Sequence, residues 1–287
     1  MIDAALFQNT EIHDFILRAL NEDIGDGDHS SLASIPEGTQ GKAQMIIKDD
    51  GIIAGLELSK IIFHLTDPSI DVTLFLHDGM EVKKGDIGLT VSGSVHAILR
   101  AERLVLNLIQ RLSGIATRTA EMKKLIEGTG CVLLDTRKTT PGLRLLEKWA
   151  VKMGGGSNHR IGLYDMIMLK DNHNDYAGGI TKAVNNTVAY LNEKELHLKI
   201  EVETRNLEEV KEALATGKVD RIMLDNFSVE AMKEAVDLIN GQVETEASGG
   251  ITEQTIRKYA ETGVNFISVG ALTHSVRSMD ISLKEID

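Results

Sequence analysis

The second half of the chain repeats one pattern: a short apolar segment that ends in polar, charged or glycine residues. The apolar segments cover 131–136, 165–170, 199–204, 221–226, 243–248 and 266–271. The residues at or just beyond their ends are Asp135, Arg137, Lys138, Lys170, Asp171, Glu203, Asp225, Asn226, Ser248, Gly249, Gly250 and Gly270. If the segments are parallel strands, these residues meet at one edge of a sheet, where such folds place their sites. Their chemistry suits binding of an anion, a phosphate group and a divalent cation.

Positive charge is concentrated in one region of an acidic chain. The protein has 287 residues, with 31 Lys and Arg against 43 Asp and Glu, and a formal charge of −12. Residues 136–164 nevertheless contain six cations and one anion, a local net charge of +5. Arg137, Lys138 and Arg160 carry the functional prediction, because arginine donates two parallel hydrogen bonds to a carboxylate or phosphate and so orients it. The region therefore predicts a strongly anionic substrate.

Two carboxylates follow neighbouring segments. Glu203 and Asp225 are suited to sharing Mg²⁺ or to accepting hydrogen bonds from sugar hydroxyls, since Mg²⁺ usually takes one or two protein carboxylates plus substrate phosphates. The alternative is that each carboxylate pairs with a nearby cation such as Lys170. The sequences ASGGI, 247–251, and VGALTHS, 269–275, contain glycines that let backbone N–H groups approach a phosphate.

Three consecutive glycines precede His159 and Arg160 in the loop at 153–165. A stretch of this kind is either flexible or pressed against another part of the protein. It fits a hinge that presents His159 and Arg160 to a ligand, and equally a plain surface loop. His159 is not predicted to be a structural zinc ligand, because no other His or Cys lies at ligand spacing.

The alternation of apolar segments with helical patterns predicts parallel βα units. Helices are expected to stop at Gly217, Gly241 and Gly263, which are spaced as helix caps would be. A full eight-stranded barrel takes about 200–250 residues, and 115–273 is shorter. We therefore predict an α/β fold with an incomplete, six- or seven-stranded TIM-like barrel, and keep an open doubly wound sheet as the alternative.

The amino-terminal part has a different pattern of predicted elements. Residues 10–21 have helical spacing, and the acidic turn that follows, with Asp23, Asp26 and Asp28, is predicted to be a solvated loop rather than a metal site. Residues 41–96 predict a small sheet with glycine turns. From residue 96 to 128 the pattern is helical, with Leu104, Leu108 and Leu112 on one apolar stripe that is broken near Ser113 and Gly114.

Composition excludes several classes of protein. Net negative charge argues against a nucleic-acid binder or a basic membrane-surface protein. No segment approaches the ~18 consecutive apolar residues of a membrane helix, and acids occupy the amino-terminal positions where a secretory signal has lysines. The single cysteine, Cys131, cannot form an intramolecular disulfide. We expect a cytoplasmic protein with no membrane and no nucleic-acid partner.

One long block and six shorter ones carry a resemblance to a known family. The long block is DTRKTTPGLRLLEKWAVKMGGGSNHRIGLYDMIMLKDNH, 135–173, and the others are EDIGDGD, AERLVLNLIQRLSGIAT, IEVE, IMLDNF, ASGGI and VGALTHS. Together these blocks resemble quinolinate phosphoribosyltransferase, also called nicotinate-nucleotide pyrophosphorylase (carboxylating). The likeness covers nearly the whole chain.

The resemblance implies an N-terminal α+β sandwich domain at 1–114 and an α/β-barrel domain at 115–274, with residues 275–287 as a candidate to pack back on the first. It implies a homodimer or a higher multiple of dimers with sites at the subunit interface. The implied reaction transfers the phosphoribosyl group of phosphoribosyl pyrophosphate (PRPP) to quinolinate with decarboxylation. The products are nicotinate mononucleotide, pyrophosphate and CO₂, a step of de novo NAD synthesis that requires Mg²⁺.

Residue roles also follow from the resemblance. The residues implied to bind quinolinate are Arg103 from the neighbouring subunit, Arg137, His159, Arg160 and Lys170. Those implied to bind PRPP are Lys138 on the pyrophosphate side and, around the 5′-phosphate, Ser248, Gly249, Gly250, Gly270 and Ala271. Glu203 and Asp225 are implied to contact the ribose hydroxyls and Mg²⁺, and the catalytic set comprises Lys138, Lys170, Glu203 and Asp225.

Three alternatives remain open at this point. Nicotinate phosphoribosyltransferase, or a related homologue of different substrate, performs similar chemistry without decarboxylation. A barrel aldolase could use Lys170 as a Schiff-base lysine, because nearby cations lower a lysine pKa. A ligand-binding or carrier protein would bind without turnover.

Overall fold

The computed structural model of the protein describes residue 7 and residues 9–286. The elements up to residue 125 are α1 (Thr10–Ile24), α2 (His29–Ser34), β1 (Gln40–Ile47), β2 (Gly51–Ile52), α3 (Leu56–Thr66), β3 (Asp71–Leu74), β4 (Glu81–Val82), β5 (Ile87–Ser94) and α4 (Val95–Leu125). The elements that follow are β6 (Val132–Leu134), α5 (Arg144–Met153), β7 (Ile167–Leu169), α6 (Asp171–Ala177), α7 (Ile180–Glu193), β8 (Ile200–Thr204), α8 (Leu207–Ala215), β9 (Arg221–Asp225), α9 (Val229–Ile239), β10 (Glu244–Ser248), α10 (Ile256–Ala260), β11 (Phe266–Ser268), α11 (Ala271–His274) and β12 (Ile281–Ile286).

These elements divide into two compact units. The first unit comprises the described residues up to Ala120, Thr139–Gly155 and the segment from Leu272 onward. The second, which we call the barrel unit, comprises Glu121–Lys138 and Gly156–Ala271.

An antiparallel sheet forms the centre of the first unit. Its strand order is β12-β1-β5-β3, and a separate two-stranded sheet joins β2 to β4. Alternate residues of β1, Ala43, Met45 and Ile47, are buried, as the period-two pattern of a half-buried strand requires. The small sheet predicted at 41–96 is thus present, and β12 from the other end of the chain completes it.

The acidic turn after α1 is more ordered than predicted. Helix α1 continues to Ile24 and so includes Asp23. Asp28 caps α2, because its carboxylate accepts a hydrogen bond from the backbone N–H of Ser31. An aspartate at this position satisfies one of the free N–H groups at a helix start, which accounts for at least one of the three acids without a metal.

The helix predicted over 96–128 is present, and the break in its apolar stripe near Ser113 and Gly114 does not interrupt it. Helix α4 runs without interruption through both residues. The Ser113 hydroxyl accepts a hydrogen bond from the backbone N–H of Ala54 at 2.9 Å. A Cβ on Gly114 would lie 2.2 Å from the carbonyl oxygen of Arg277. These residues are small because another backbone approaches the helix closely, and not because the helix ends.

A buried ion pair joins distant segments of the first unit. Arg111 on α4 lies 2.7 Å from Glu147 on α5 and donates hydrogen bonds to Thr140 Oγ1 at 2.8 Å and the Thr273 carbonyl at 3.1 Å. Glu147 is fully buried, so its charge depends on Arg111 for compensation. These bonds hold Thr139–Gly155 and the last segment of the chain in this unit, although both lie beyond residue 114.

Six parallel strands form the sheet of the barrel unit, in the order β6-β11-β10-β9-β8-β7. Each of the six predicted apolar segments contains one of these strands. The first strand lies beside the last, as winding in one direction around a barrel requires, whereas an open doubly wound sheet reverses its strand order. Within residues 9–286 no ladder joins β6 to β7, so the barrel is incomplete, as predicted.

Glycines follow three of the barrel helices as expected. Gly217, Gly241 and Gly263 lie two or three residues beyond the ends of α8, α9 and α10, with φ of 62°, 70° and 90°. Positive φ costs glycine little and other residues more. In the part of the chain that the structure describes, no helix combines the length and apolar character needed to cross a membrane.

Replacement of Gly114 by alanine should destabilise the protein. Alanine normally stabilises a helix interior by about 1 kcal/mol relative to glycine, but here its methyl group would collide with the Arg277 carbonyl. We expect Gly114→Ala to lower the free energy of unfolding by about 1–3 kcal/mol, measured by urea titration. Asn107→Ala on the exposed side of α4 is the control and should have little effect. A stabilised Gly114→Ala variant would contradict the close packing.

Candidate active site

The predicted rim residues of the barrel lie at one edge of its sheet. Lys170 follows β7 directly, Glu203 lies near the end of β8, and Asp225 and Ser248 end β9 and β10. Asp225 and Ser248 are opposite each other in the strand register, and Gly270 lies just beyond β11. Because all these strands are parallel, the five positions share the carboxyl-terminal edge, as the sequence predicted.

Lys170 and Glu203 form an ion pair at this edge. The Lys170 Nζ lies 3.1 Å from Glu203 Oε2, with the lysine side chain 48% exposed and the glutamate 10%. The pairing of Glu203 with a cation, one of the two interpretations of this carboxylate, is therefore present in the structure. Asp225 accepts a hydrogen bond from the Asn226 side chain at 2.7 Å. Both carboxylates are thus oriented by neighbours and face the rim.

Glycine is required after β10. Gly249 has φ of 94°, and a Cβ there would lie 2.2 Å from Asn226 Oδ1. Gly250 has φ of 61° and lies in open space. The backbone of this turn is consequently accessible from the rim beside Ser248. Gly270 and Ala271, the other residues predicted to bind phosphate, lie at the start of α11.

Two arginines come close together on the basic side of the site. Burial lowers the pKa of Arg160, and the positive charge of Arg137 lowers it further. Arg160 also donates a hydrogen bond to the Met166 carbonyl at 3.2 Å. Guanidinium groups that repel each other favour a ligand with more than one negative charge. Lys138 is exposed one residue beyond Arg137.

The glycine loop is held in place rather than free. A Cβ on Gly154 would lie 2.2 Å from the Ala116 carbonyl oxygen, so the backbone is pressed against α4 at that point. Farther along, the Ser157 N–H donates to the Leu133 carbonyl. Buried Asp135 accepts hydrogen bonds from the Asn158 side chain at 2.6 Å and the His159 N–H at 2.9 Å. Both ends of this stretch are packed in this structure, and the hinge interpretation stays a prediction.

His159 points into the barrel and is buried. Its Nε2 lies 3.0 Å from Glu201 Oε2 and 3.4 Å from Glu246 Oε2, and its Nδ1 accepts a hydrogen bond from the Arg160 N–H at 2.7 Å. Burial lowers the pKa of His159, but the nearby carboxylates of Glu201 and Glu246 outweigh it and raise that pKa to about 9. Protonation of Nδ1 would break the bond from Arg160. This bond therefore opposes the upward shift of the pKa, and we assign the neutral imidazole with its proton on Nε2, facing the two carboxylates.

The sequence analysis missed a buried ionic network beneath the rim. Arg221 donates to Glu246 at 2.9 Å and to Glu244 at 3.1 Å, and its guanidinium lies 3.9 Å from the centroid of the Phe266 ring. Glu201 and Glu246 are fully buried, and burial together with the charge of Glu246 raises the pKa of Glu201. We call Arg221, Glu201, Glu246 and His159 the buried ionic network.

Strand periodicity contained the signal for this network. In IEVET, RIMLD and ETEAS, a charged residue precedes each rim residue by two or four positions. Residues two or four apart in a strand point to the same face, so Glu201, Arg221 and Glu246 line the interior below Glu203, Asp225 and Ser248. This signal lies within the strands and not at their ends.

Potential metal ligands meet in the network and not at the rim. Among the described residues, His159, Glu201 and Glu246 form a group of potential metal ligands. Their ligand atoms all lie within 4.8 Å of one another. Glu203 and Asp225, the predicted Mg²⁺ ligands, are outside that group.

Arg103 lies in the first unit. It is exposed on α4, and its predicted contact with a neighbouring subunit stays a prediction.

Comparison with protein families matches nearly the whole chain. The family model described as "Quinolinate phosphoribosyl transferase, C-terminal domain" matches residues 115–284, and the one for the N-terminal domain matches residues 28–113. A quinolinate phosphoribosyltransferase [decarboxylating] of Nicotiana tabacum is 48% identical over 281 residues, 93% of this chain and 80% of the relative. A probable nicotinate-nucleotide pyrophosphorylase [carboxylating] of Bacillus subtilis is 44% identical over 262 residues, 91% and 89% of the two chains.

Solved structures give the same result. NadC from Streptococcus pyogenes has a TM-score of 0.91 at 40% identity, covering 97% of this chain and 98% of that one. The nicotinate-nucleotide pyrophosphorylase from Francisella tularensis has a TM-score of 0.91 at 40% identity, covering 96% of both chains. Human nicotinic acid phosphoribosyltransferase, at 13% identity and a TM-score of 0.63 over 90% of this chain and 72% of that one, shares the fold alone.

Proposed function

This chain belongs to the quinolinate phosphoribosyltransferase family, and we propose how its residues divide the reaction between them. The enzyme transfers the phosphoribosyl group of PRPP to quinolinate with decarboxylation, giving nicotinate mononucleotide, pyrophosphate and CO₂ in NAD biosynthesis. It is a pentosyltransferase, and the relatives support this reaction over that of a nicotinate phosphoribosyltransferase. The roles of individual residues, the metal, the subunit arrangement and the compartment are our proposals.

The basic side of the site binds quinolinate. The observation that carries this assignment is the proximity of Arg137 and Arg160, seen in the lowered pKa of Arg160. Quinolinate has two adjacent carboxylates, so its charge offsets the repulsion between the two guanidinium groups, and each guanidinium matches one carboxylate. Lys170 contributes a third cation from the end of β7, and His159 supports this side from within the barrel.

The opposite side binds PRPP. The exposed turn at Ser248, Gly249 and Gly250, together with Gly270 and Ala271, offers backbone N–H groups to the 5′-phosphate. Lys138 is exposed and contacts the pyrophosphate. This arrangement holds the donor sugar between the phosphate turn and the quinolinate carboxylates.

Glu203 and Asp225 are suited to the ribose hydroxyls and to Mg²⁺. They offer carboxylate oxygens from neighbouring strands, which fits a Mg²⁺ that completes its coordination with substrate phosphate oxygens and water. Lys170 already pairs with Glu203, so this carboxylate has an alternative partner when PRPP is absent. When bound, Mg²⁺ would neutralise the charge that develops on the departing pyrophosphate.

Positioning and charge stabilisation account for the two chemical steps. Lys138 stabilises the leaving pyrophosphate while the ribose C1 develops positive charge. Arg137 and Arg160 hold the pyridine nitrogen against that carbon, which replaces a bimolecular search by a bound geometry. After the C1–N bond forms, the ring nitrogen is cationic and stabilises the electron pair that stays on the adjacent ring carbon when its carboxylate departs as CO₂. A proton then adds to that ring carbon.

We further propose that the enzyme is a homodimer, or a multiple of dimers, in which Arg103 reaches the quinolinate of the neighbouring subunit. Its exposure on α4 supports this role, because an exposed guanidinium is available to a partner. We also propose that the protein works in the cytoplasm, on the ground that a chain with one cysteine forms no intramolecular disulfide.

Product analysis tests the function directly. The unmodified protein with quinolinate, PRPP and Mg²⁺ should form nicotinate mononucleotide, detected by mass, and release labelled CO₂ from the ring-adjacent carboxylate. Chelation of Mg²⁺ should abolish turnover, and its return should restore it. Equal product formation from nicotinate in place of quinolinate would contradict the decarboxylating assignment.

Arg137→Lys should weaken quinolinate binding selectively. Lysine keeps the charge but loses the bidentate geometry, and one charge-assisted hydrogen bond contributes about 1.5–3 kcal/mol. We expect the KM for quinolinate to rise about tenfold or more, with the KM for PRPP nearly unchanged, in steady-state assays. Arg205→Lys, at an exposed arginine that pairs with Asp175 and Glu209, is the matched control. Equal losses for both substrates would contradict the assignment.

Mixed dimers test the shared site. Arg103→Ala and Lys138→Ala chains should each be inactive alone, because each lacks a cation that the site requires. In a mixed dimer one of the two sites combines an intact Lys138 with an intact Arg103 from the partner, so random mixing should restore about a quarter of the activity. The mixture is assayed after the dimers are verified by mass. Verified mixed dimers with no recovered activity would count against a site shared between subunits.

A further inference from the structure

The buried ionic network lies beneath the quinolinate-binding residues, and of its members only His159 has a part in the proposed reaction. We propose that Glu246 and Glu201 are positioning residues. They hold the His159 imidazole in one orientation, and His159 in turn holds the backbone of Arg160, whose guanidinium binds a quinolinate carboxylate. This inference rests on the proposed role of Arg160.

Glu246 is itself held from two sides. Arg221 donates to its Oε2 at 2.9 Å, and Ser268 on β11 lies beside its carboxylate. The Arg221 guanidinium also lies 3.9 Å from the centroid of the Phe266 ring, which restricts its movement. The carboxylate that faces His159 is therefore anchored to three strands, β9, β10 and β11.

His159 connects this anchor to Arg160. Its Nε2 faces Glu201 and Glu246 at 3.0 Å and 3.4 Å. Its backbone N–H donates a hydrogen bond to the Asp135 carboxylate at 2.9 Å. The Arg160 N–H donates to Nδ1 at 2.7 Å. If the imidazole turned, this bond would break and the Arg160 backbone would lose one of its supports. The orientation of the imidazole ring thus helps to fix the backbone position from which the Arg160 side chain extends.

Stability alone does not account for buried charges at this place. Interiors of α/β barrels are usually filled by branched apolar side chains. A buried ion pair is often no more stabilising than apolar residues of the same volume. An ionic network does, however, define the direction of an imidazole in a way that apolar packing cannot, because the ring nitrogens need partners at set positions.

A metal centre is the competing explanation, since His159, Glu201 and Glu246 have the right donor atoms. Arg221 already supplies positive charge to Glu246 at hydrogen-bonding distance. A divalent cation placed there would be repelled by the guanidinium. The charge of Arg221 beside Glu246 therefore argues against a metal ion at this place.

Steady-state kinetics of three variants test the proposal. Glu246→Gln removes the charge that faces His159 while it keeps the side-chain shape, and Glu201→Met removes the other carboxylate. Glu244→Gln is the matched control, because Glu244 lies two residues earlier on the same strand face and bonds Arg221. The structure shows contacts of His159 with Glu201 and Glu246 but none with Glu244 among the described residues.

We expect Glu246→Gln and Glu201→Met each to raise the KM and the equilibrium Kd for quinolinate about tenfold or more. The KM for PRPP and the kcat at saturating quinolinate should stay close to those of the unmodified enzyme. Glu244→Gln should leave all these constants nearly unchanged. Ser268→Ala, which removes the hydroxyl beside Glu246 and no charge, should show a smaller rise in the quinolinate KM and is informative even where a charge-removing variant fails to fold.

Three results would overturn the proposal. The first is a change in melting temperature with no selective effect on quinolinate. The second is an equal rise in the KM of both substrates. The third is about one firmly bound metal ion per chain in the purified protein, found by elemental analysis and lost in Glu246→Gln. Failure of the unmodified protein to form nicotinate mononucleotide would instead contradict the proposed function, so the two failures are distinguishable.

Discussion

Compensation of buried charge is the constraint on which the barrel unit depends. Two fully buried glutamates, Glu201 and Glu246, point into the barrel, and Arg221 and His159 are the cationic or donor groups that face them. Loss of one partner from such a set leaves a charge without compensation in a region of low dielectric. The free energy of unfolding then falls by about 3–5 kcal/mol. The interior is therefore committed to a single arrangement of side chains. The arrangement also fixes the positions of the rim residues, because they lie on the same strand faces two or four positions further along.

The rim shows the same principle at lower burial. Lys170 and Glu203 pair at 3.1 Å while the lysine remains about half exposed, so solvent screens the pair and the energetic cost of separating it is small. Deep charges hold the framework, and shallow charges can exchange partners when anionic substrates arrive. On the basic side Arg137 and Arg160 repel each other before binding, which leaves part of the electrostatic energy to be gained only when a dianion is present.

Sequence patterns predicted the six barrel strands and the rim because both depend on local order: a short apolar segment followed by a polar residue. Prediction failed where a residue is small or charged for a reason that lies far away in sequence. Ser113 and Gly114 break the apolar stripe of α4 because the backbones at Ala54 and Arg277 approach the helix there, and neither neighbour is visible in the local sequence. Glu201, Arg221 and Glu246 were overlooked although their spacing was visible, because their partners come from different strands and from the loop that carries His159. No single segment contains the information that they compensate one another.

Strand β12 has a consequence for how the chain is made. It pairs along its length with β1, yet the two strands lie at opposite ends of the sequence. During synthesis on the ribosome, β1 emerges early and must wait for nearly all of the remaining chain before this neighbour exists. Until then one of its sides offers unpaired N–H and C=O groups, which attract other chains. Such long-range pairing slows folding. The antiparallel sheet is therefore completed only after β12 has been synthesised.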